Sequence, residues 1–345
     1  MSKLKIRDVF SAKSIAKVRE ELPQDQFLGP ALFPPVKKAG LDLKWLKTRK
    51  GLGVSLAASA FDAVSTLRGR EGFKQEKTEM PFFRESMLIK EVDEQEIMRA
   101  QESTDPYVQA ILDSIYDDAN TLIEGALINP ERMIWSLLSP AIPTQPVIRI
   151  GNESMAYMYN YDETGEWADN NVFGVALGGT HGLVDLESLL SVIAHSRGVK
   201  PRYAVIGSNV WSRIVREYRN AAHASGQINF LSDGEIKSSI KHGLGIEVVL
   251  YPNMYIDDNG NTQPFVNPDL ITLLPGGPLG KTWFGTTPEE RTLMGNSDAD
   301  VSIVHTGIAV AVSTTNDPVH TKTTVSEIVL PSYERMDEVF VVEVL

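Results

Sequence analysis

With 345 residues, 42% of them apolar and 23% charged, the chain has room for about two domains and is too apolar to be disordered throughout. It contains no cysteine, which excludes a disulfide scaffold, a thiolate metal site and a thiol nucleophile, and fits folding in a reducing cytoplasm. A formal charge of −12 argues against a protein whose main task is gripping nucleic acid, but does not argue against a container, whose acidic lining would leave packed DNA unstuck.

The opening MSKLKIRDVFSAKS lacks the apolar core of a signal peptide, and no run approaches about 18 uninterrupted apolar residues, so no membrane span is expected. Ile6, Val9, Phe10, Ile15 and Val18 fall roughly at helical spacing and predict a short amphipathic helix over 5–21, ended by Pro23. In QDQFLGPALFPPV, Pro30, Pro34 and Pro35 predict an open, extended arm. Residues 41–90 read as a long hairpin or extended loop: LDLKW alternates as a strand does, glycines at 51, 53, 69 and 72 punctuate the run, and large apolar side chains are few. Such a hairpin is marginal in water by itself and needs something to lie against.

Asp105 and Pro106 then predict a helix start. Val108, Ile111, Leu112, Ile115, Ala119, Leu122, Ile123 and Ala126 form one apolar stripe, and Asn129-Pro130 predicts a restart as a second short helix through Leu138. Residues 145–161 read as paired strands. From about 172 helix and strand alternate: a helix capped by Asp185 and closed at Gly198, the buried strand RYAVIG, a helix opened by Ser208, a helix from Asp233 closing at Gly243, the strand IEVVLY, and a tight DDNGN turn at 257–261. The tail from Val301 is almost all strand and is expected to return to the long helix, making that domain discontinuous. The fold class is α+β.

Little in the chain carries chemistry. PGGPLGKT at 275–282 looks like a phosphate-binding loop, but Pro275 stands where the motif needs glycine, and glycine and proline follow where a helix should start. GLGVSL at 51–56 lacks the third glycine of a dinucleotide fingerprint, and there is no G-x-S-x-G or H-E-x-x-H. The six histidines (181, 195, 223, 242, 305, 320) never fall at ligand spacing, and DDNGN lacks the alternating oxygens of a calcium loop. No catalytic residue, cofactor or metal is therefore assigned. The competing readings are a nucleotide hydrolase using Lys281, a non-viral compartment shell, and a tail or baseplate component.

The charge is unevenly spread. Residues 41–79 carry eight basic side chains against five acidic, while residues 91–131 carry eleven acidic and one basic, Arg99. Asp113, Asp117 and Asp118 crowd one side of the long helix, and Asp113 with Asp117 is a like-charge i,i+4 pair that costs a few tenths of a kcal/mol. Either this is a solvated face, such as a shell's inner wall, or a basic segment covers it. The second reading lays the loop of one subunit over the acidic helix of its neighbour. Arg49, Lys50, Arg68, Arg70 and Lys74 would meet Asp113, Asp117 and Asp118 to set register, and Trp45, Phe61, Phe73, Phe82 and Phe83 would supply buried area.

Several passages resemble the tailed-phage major capsid proteins of the lambda type, the major capsid protein E family. They are Phe33-Pro34, the aspartate and tryptophan of LDLKW, the turn from Arg70 to Phe73, Pro81-Phe82-Phe83-x-Glu85, the helix that follows, the DLITLLP–G–TPEE passage, and the ending VLPSYERMDEVFVVEV. The resemblance implies an HK97-like fold, with an N-arm at 1–40 and an extended loop at 41–90. It further implies a peripheral domain with a long spine helix at 91–171 and 300–345, and an axial domain at 172–299. It implies a shell protein that assembles with itself into hexamers and pentamers of an icosahedral capsid, in the bacterial cytoplasm, around double-stranded DNA that it does not read. Its implied partners are scaffolding, portal and possibly decoration proteins. No covalent crosslink site can be matched.

Overall fold

The computed structural model describes residues 11–21, 27–47, 74–89, 106–152, 155–175, 184–224, 232–295, 300–316 and 319–344. In chain order these hold α1 (Ala12–Glu21), α2 (Gly29–Leu32), β1 (Pro35–Lys37), β2 (Asp42–Lys47), β3 (Lys74–Glu79), β4 (Phe82–Ile89) and α3 (Pro106–Leu138). There follow β5 (Val147–Asn152), β6 (Met155–Asn160), α4 (Glu166–Asn171), β7 (Val172–Val175), α5 (Val184–Arg197), β8 (Tyr203–Ile206), α6 (Ser208–Ala224) and α7 (Asp233–Leu244). The remainder is β9 (Glu247–Val249), β10 (Met254–Ile256), β11 (Thr262–Pro264), β12 (Leu270–Leu274), β13 (Lys281–Phe284), α8 (Pro288–Gly295), β14 (Val301–Val304), β15 (Ile308–Asn316), β16 (Val319–Ser332) and β17 (Phe340–Val344). They divide into two compact units, one of residues 1–43, 77–132 and 281–332, the other of 44–76, 133–280 and 333–345.

The first unit is built on a sheet in the order β1-β13-β16-β15-β14, with β4 also paired to β16. The fourteen-residue β16 is its backbone, antiparallel to β15 and β4 over largely the same stretch, residues 319–326 and 321–328, and then to β13 over 329–332. Ala119, Leu122, Ile123 and Ala126 of α3, and Ala12, Ile15 and Ala16 of α1, pack with Val304, Ile308, Val310 and Val325 of the sheet. The part of the apolar stripe from Ala119 to Ala126 is thus a core face, the side chains of Val108, Ile111, Leu112 and Ile115 lie outside the described residues, and the acidic neighbours Asp117 and Asp118 are exposed.

The second unit centres on a sheet ordered β7-β17-β12-β8-β9. Its strands are short and nearly all apolar, as fits a sheet covered by helices, and Ile193, Ile214, Ile236 and Ile240 of α5, α6 and α7 pack on Ile206, Ile271, Leu273, Phe340 and Val342. The helix α7 opens with a capping box, in which Ser232 accepts from the Glu235 N–H and Glu235 reaches back to the Ser232 N–H. The expected hairpins at 147–160 and 254–264 are both present.

Four expectations are corrected. The proline-rich arm is not wholly open, since Gly29–Leu32 is a helical turn with Pro30 at its start, where a missing N–H costs nothing. Asn129-Pro130 does not divide the long helix, which runs unbroken for 33 residues with Pro130 inside it. Proline removes one backbone bond at a cost of about 3 kcal/mol, and burial of Met133, Ile134, Trp135, Leu137 and Leu138 beyond it offsets that loss. The helix α7 closes two residues later than expected, at Gly245, whose φ of 70° suits the left-handed cap. The tail does not return as one set: β14 to β16 join the sheet beneath α3, but β17 pairs with β12 and β7 in the other unit. Helix propensity and strand pattern are local, and neither states which sheet a strand enters.

Candidate functional site

Among the described residues no group of three or more His, Asp or Glu is placed to hold a metal ion, and no helix is long and apolar enough to cross a membrane. The glycine-rich loop has the wrong polarity for phosphate. Arg335 enters it and donates to the carbonyls of Gly276 (3.1 Å) and Pro278 (2.8 Å), while its other edge forms a fork with Glu338 at 3.0 and 2.5 Å. A phosphate cradle turns N–H groups inward; this loop turns carbonyls inward around a cation. The Glu338 carboxylate in turn raises the Arg335 pKa. Lys281, the residue that made the loop resemble a nucleotide site, is exposed and rests 5.6 Å over the Trp283 ring.

The other polar candidates also have structural duties. Asp257 accepts from the N–H groups of Asn259 (3.0 Å) and Asn261 (2.8 Å), closing the DDNGN turn, and these bonds hold its carboxyl below its usual pKa. The Nδ1 of His195 lies 2.8 Å from the Ser191 carbonyl, which requires its proton there. Nothing in these arrangements brings a nucleophile and a base together.

What the first unit holds instead is a set of buried glutamates, each tying one segment to another. Glu131 on α3 accepts from the N–H groups of Leu28 and Gly29 at 2.9–3.2 Å, so the helix clasps the arm. Glu290 on α8 pairs with Lys37 of β1 at 2.5 Å. Glu289 accepts from Ser326 of β16 at 2.6 Å and pairs with Arg84 of β4 at 2.8 Å. Glu327 accepts from the Asn129 amide at 2.9 Å. Glu131→Ala is expected to cost about 2 kcal/mol, because the buried Gly29 N–H loses its acceptor; the loss would show in urea unfolding, and residues 27–33 would become open to limited proteolysis. None of these four was singled out in the sequence, although a glutamate inside the apolar run VSEIVL was a visible signal.

The proposed contact residues are placed unequally. The strands β2 and β3 form a two-stranded ribbon of their own. At its root Trp45 is 8% exposed and stacks on Tyr161 with centroids 5.7 Å apart. Arg49, Lys50, Phe61, Arg68, Arg70 and Phe73 lie outside the described residues, and of Lys74 and Asp113 only the backbone is described. Asp117 and Asp118 are exposed, and neither forms an ion pair among the described residues.

A long helix on a mixed sheet, an α/β unit that follows it in sequence and an extended ribbon make up the α+β fold. The chain matches a phage-related protein from Bordetella bronchiseptica RB50 with a TM-score of 0.54 at 13% identity, over 96% of this chain and 97% of that one. It matches the capsid subunit of cyanophage A-1(L) with a TM-score of 0.52 at 12% identity, over 92% and 91%. At those identities the likeness establishes the fold, the α+β HK97-like capsid fold. No curated protein matches the chain in sequence. The sequence profile of the phage major capsid protein E family matches residues 11–344, and the chain belongs to that family. It is a capsid shell protein of tailed phages, which assembles with copies of itself into the virion's shell.

Proposed function

We propose that the ribbon running out from β2 and β3 lies across the acidic face of α3 on a neighbouring copy and sets the register of the shell. The charge separation carries this reading: eight basic side chains over 41–79 and eleven acidic ones over 91–131, with Asp117 and Asp118 exposed on the helix. A two-stranded ribbon is marginal alone, and Trp45 gives this one a fixed root on its own subunit. Exposed ion pairs contribute about 0–1 kcal/mol each, so they direct register while the phenylalanines beyond the root supply area.

On this reading residues 1–40 are the N-arm, 41–90 the extended loop, the unit holding most of α3 and 281–332 the peripheral domain, and the unit holding 172–280 and 333–345 the axial domain. The shell is icosahedral, made of hexamers and pentamers, and encloses double-stranded DNA without reading its sequence. Scaffolding, portal and decoration proteins are its partners, assembly takes place in the host cytoplasm, and the subunit has no catalytic activity of its own. The commitment of Arg335 to the glycine-rich loop supports the last point.

Electron microscopy of the purified protein tests the reading directly, with capsomers, tubes or shells as the expected products. Reversing Arg68, Arg70 and Lys74 together to Glu should block shell assembly and leave the circular dichroism of the subunit unchanged. Normal shells from that variant would overturn the ribbon-on-helix contact.

A further inference from the structure

We propose that Glu327 and Asn129 form a proton-dependent latch, which holds the proline-containing turn of α3 against β16 within the first unit. The helix is weakest at this turn. Pro130 has no N–H, so the carbonyl four residues back, on Ala126, loses its helical donor. Docking of the turn therefore depends on side chains, and the Asn129 amide donates to Glu327 of the sheet.

Glu327 is 1% exposed. Its Oε1 accepts from Asn129, and its Oε2 meets no hydrogen-bonding partner among the described residues. Alternation along β16 turns Ser326 to the opposite face, where it meets Glu289, so the Glu289–Arg84 pair lies across the sheet from Glu327. On β4 the residue opposite Glu327 is Phe83, and Glu85, opposite Val325, is exposed. On α3 the nearby charged residues are Glu124, Glu131 and Arg132, and Glu131 is turned to Leu28 and Gly29. Glu290 is engaged by Lys37, and Lys13 and Lys17 of α1 are exposed. No cation among the described residues pairs with Glu327.

A carboxylate in such a place has one donor and no counter-charge, so the neutral acid is the form that fits. Burial raises its pKa from 4.5 to about 8, opposed by the Asn129 bond. Because the folded-state pKa is the higher one, folding takes up a proton. The stabilisation is complete below pH 4.5, declines as pH rises, and is gone once pH passes about 8; there the buried carboxylate gains more from water than from its single Asn129 donor, and the turn opens to hydrate it.

The test compares the wild-type protein with Glu327→Gln, which keeps an acceptor for Asn129 and cannot ionise. Hydrogen exchange of the amides around Asn129 would be followed from pH 6 to pH 10 after correction for intrinsic rates. The opening constant of the wild type relative to the variant should rise about tenfold per pH unit up to about pH 8 and then level off. A flat ratio overturns the latch. Should the variant fail to fold, infrared spectra of the wild type decide: a protonated carboxyl band present at pH 6 and lost near pH 8 supports the proposal, and its absence at pH 6 sinks it.

Discussion

Gly207→Ala is expected to unfold the second unit or to cost about 3 kcal/mol or more, from the addition of one methyl group. Gly207 joins β8 directly to α6. The Pro268 carbonyl accepts from the first N–H groups of that helix, Asn209 at 3.1 Å and Val210 at 3.3 Å, and so caps it. A Cβ at 207 would lie 2.4 Å from the carbonyl oxygens of both Asn267 and Pro268. These are backbone atoms, held in turn by the side chain of Asn267, which donates to the Pro140 carbonyl, and by Ser139, which binds the Asn267 N–H. Neither can step aside as a flexible side chain would. Denaturant unfolding measures the loss, and Gly125→Ala is the control. Nothing lies within 4 Å of a Cβ at Gly125, in the exposed middle of α3, so that change should stabilise the protein by about 0.5–1 kcal/mol.

Arg335→Ala should cost about 3 kcal/mol. It removes the fork to Glu338, leaving a carboxylate that is 3% exposed without its cation, and it releases the carbonyls of Gly276 and Pro278. Arg335→Lys should recover only part of this, because one ammonium cannot span a planar fork on one edge and two carbonyls on the other. The loss should appear in urea unfolding and as faster exchange of amides 276–280. Were the loop a nucleotide site, the same variants would change nucleotide affinity while leaving stability nearly untouched.

The two candidate sites were legible in the sequence to different degrees. That PGGPLGKT is a turn and not a phosphate cradle followed from Pro275 and from the absence of a helix after Thr282, and the inward carbonyls supply the physical counterpart. That Arg335 fills the loop could not be read, since the pair is 57 to 59 residues apart in sequence and only packing brings it together. Likewise Trp45 could be picked out as an aromatic in a thinly apolar segment, but its stacking on Tyr161 depends on a hairpin more than a hundred residues away.

By itself the sequence determined what is periodic or chemical in nature: the apolar stripe of α3, the alternating strands, the helices on either side of RYAVIG, the lack of any thiol, and the opposed charges of two neighbouring segments. Side-chain pattern sets these through local geometry and solvation, so they survive without knowledge of the fold. Only the tertiary structure decided that α3 continues through Pro130, that β17 leaves its neighbours for another sheet, and that four glutamates lie buried as ties between distant segments. Each of those outcomes weighs a local penalty, a missing N–H or a desolvated carboxyl, against contacts with residues far along the chain, and that balance exists only once the chain has packed.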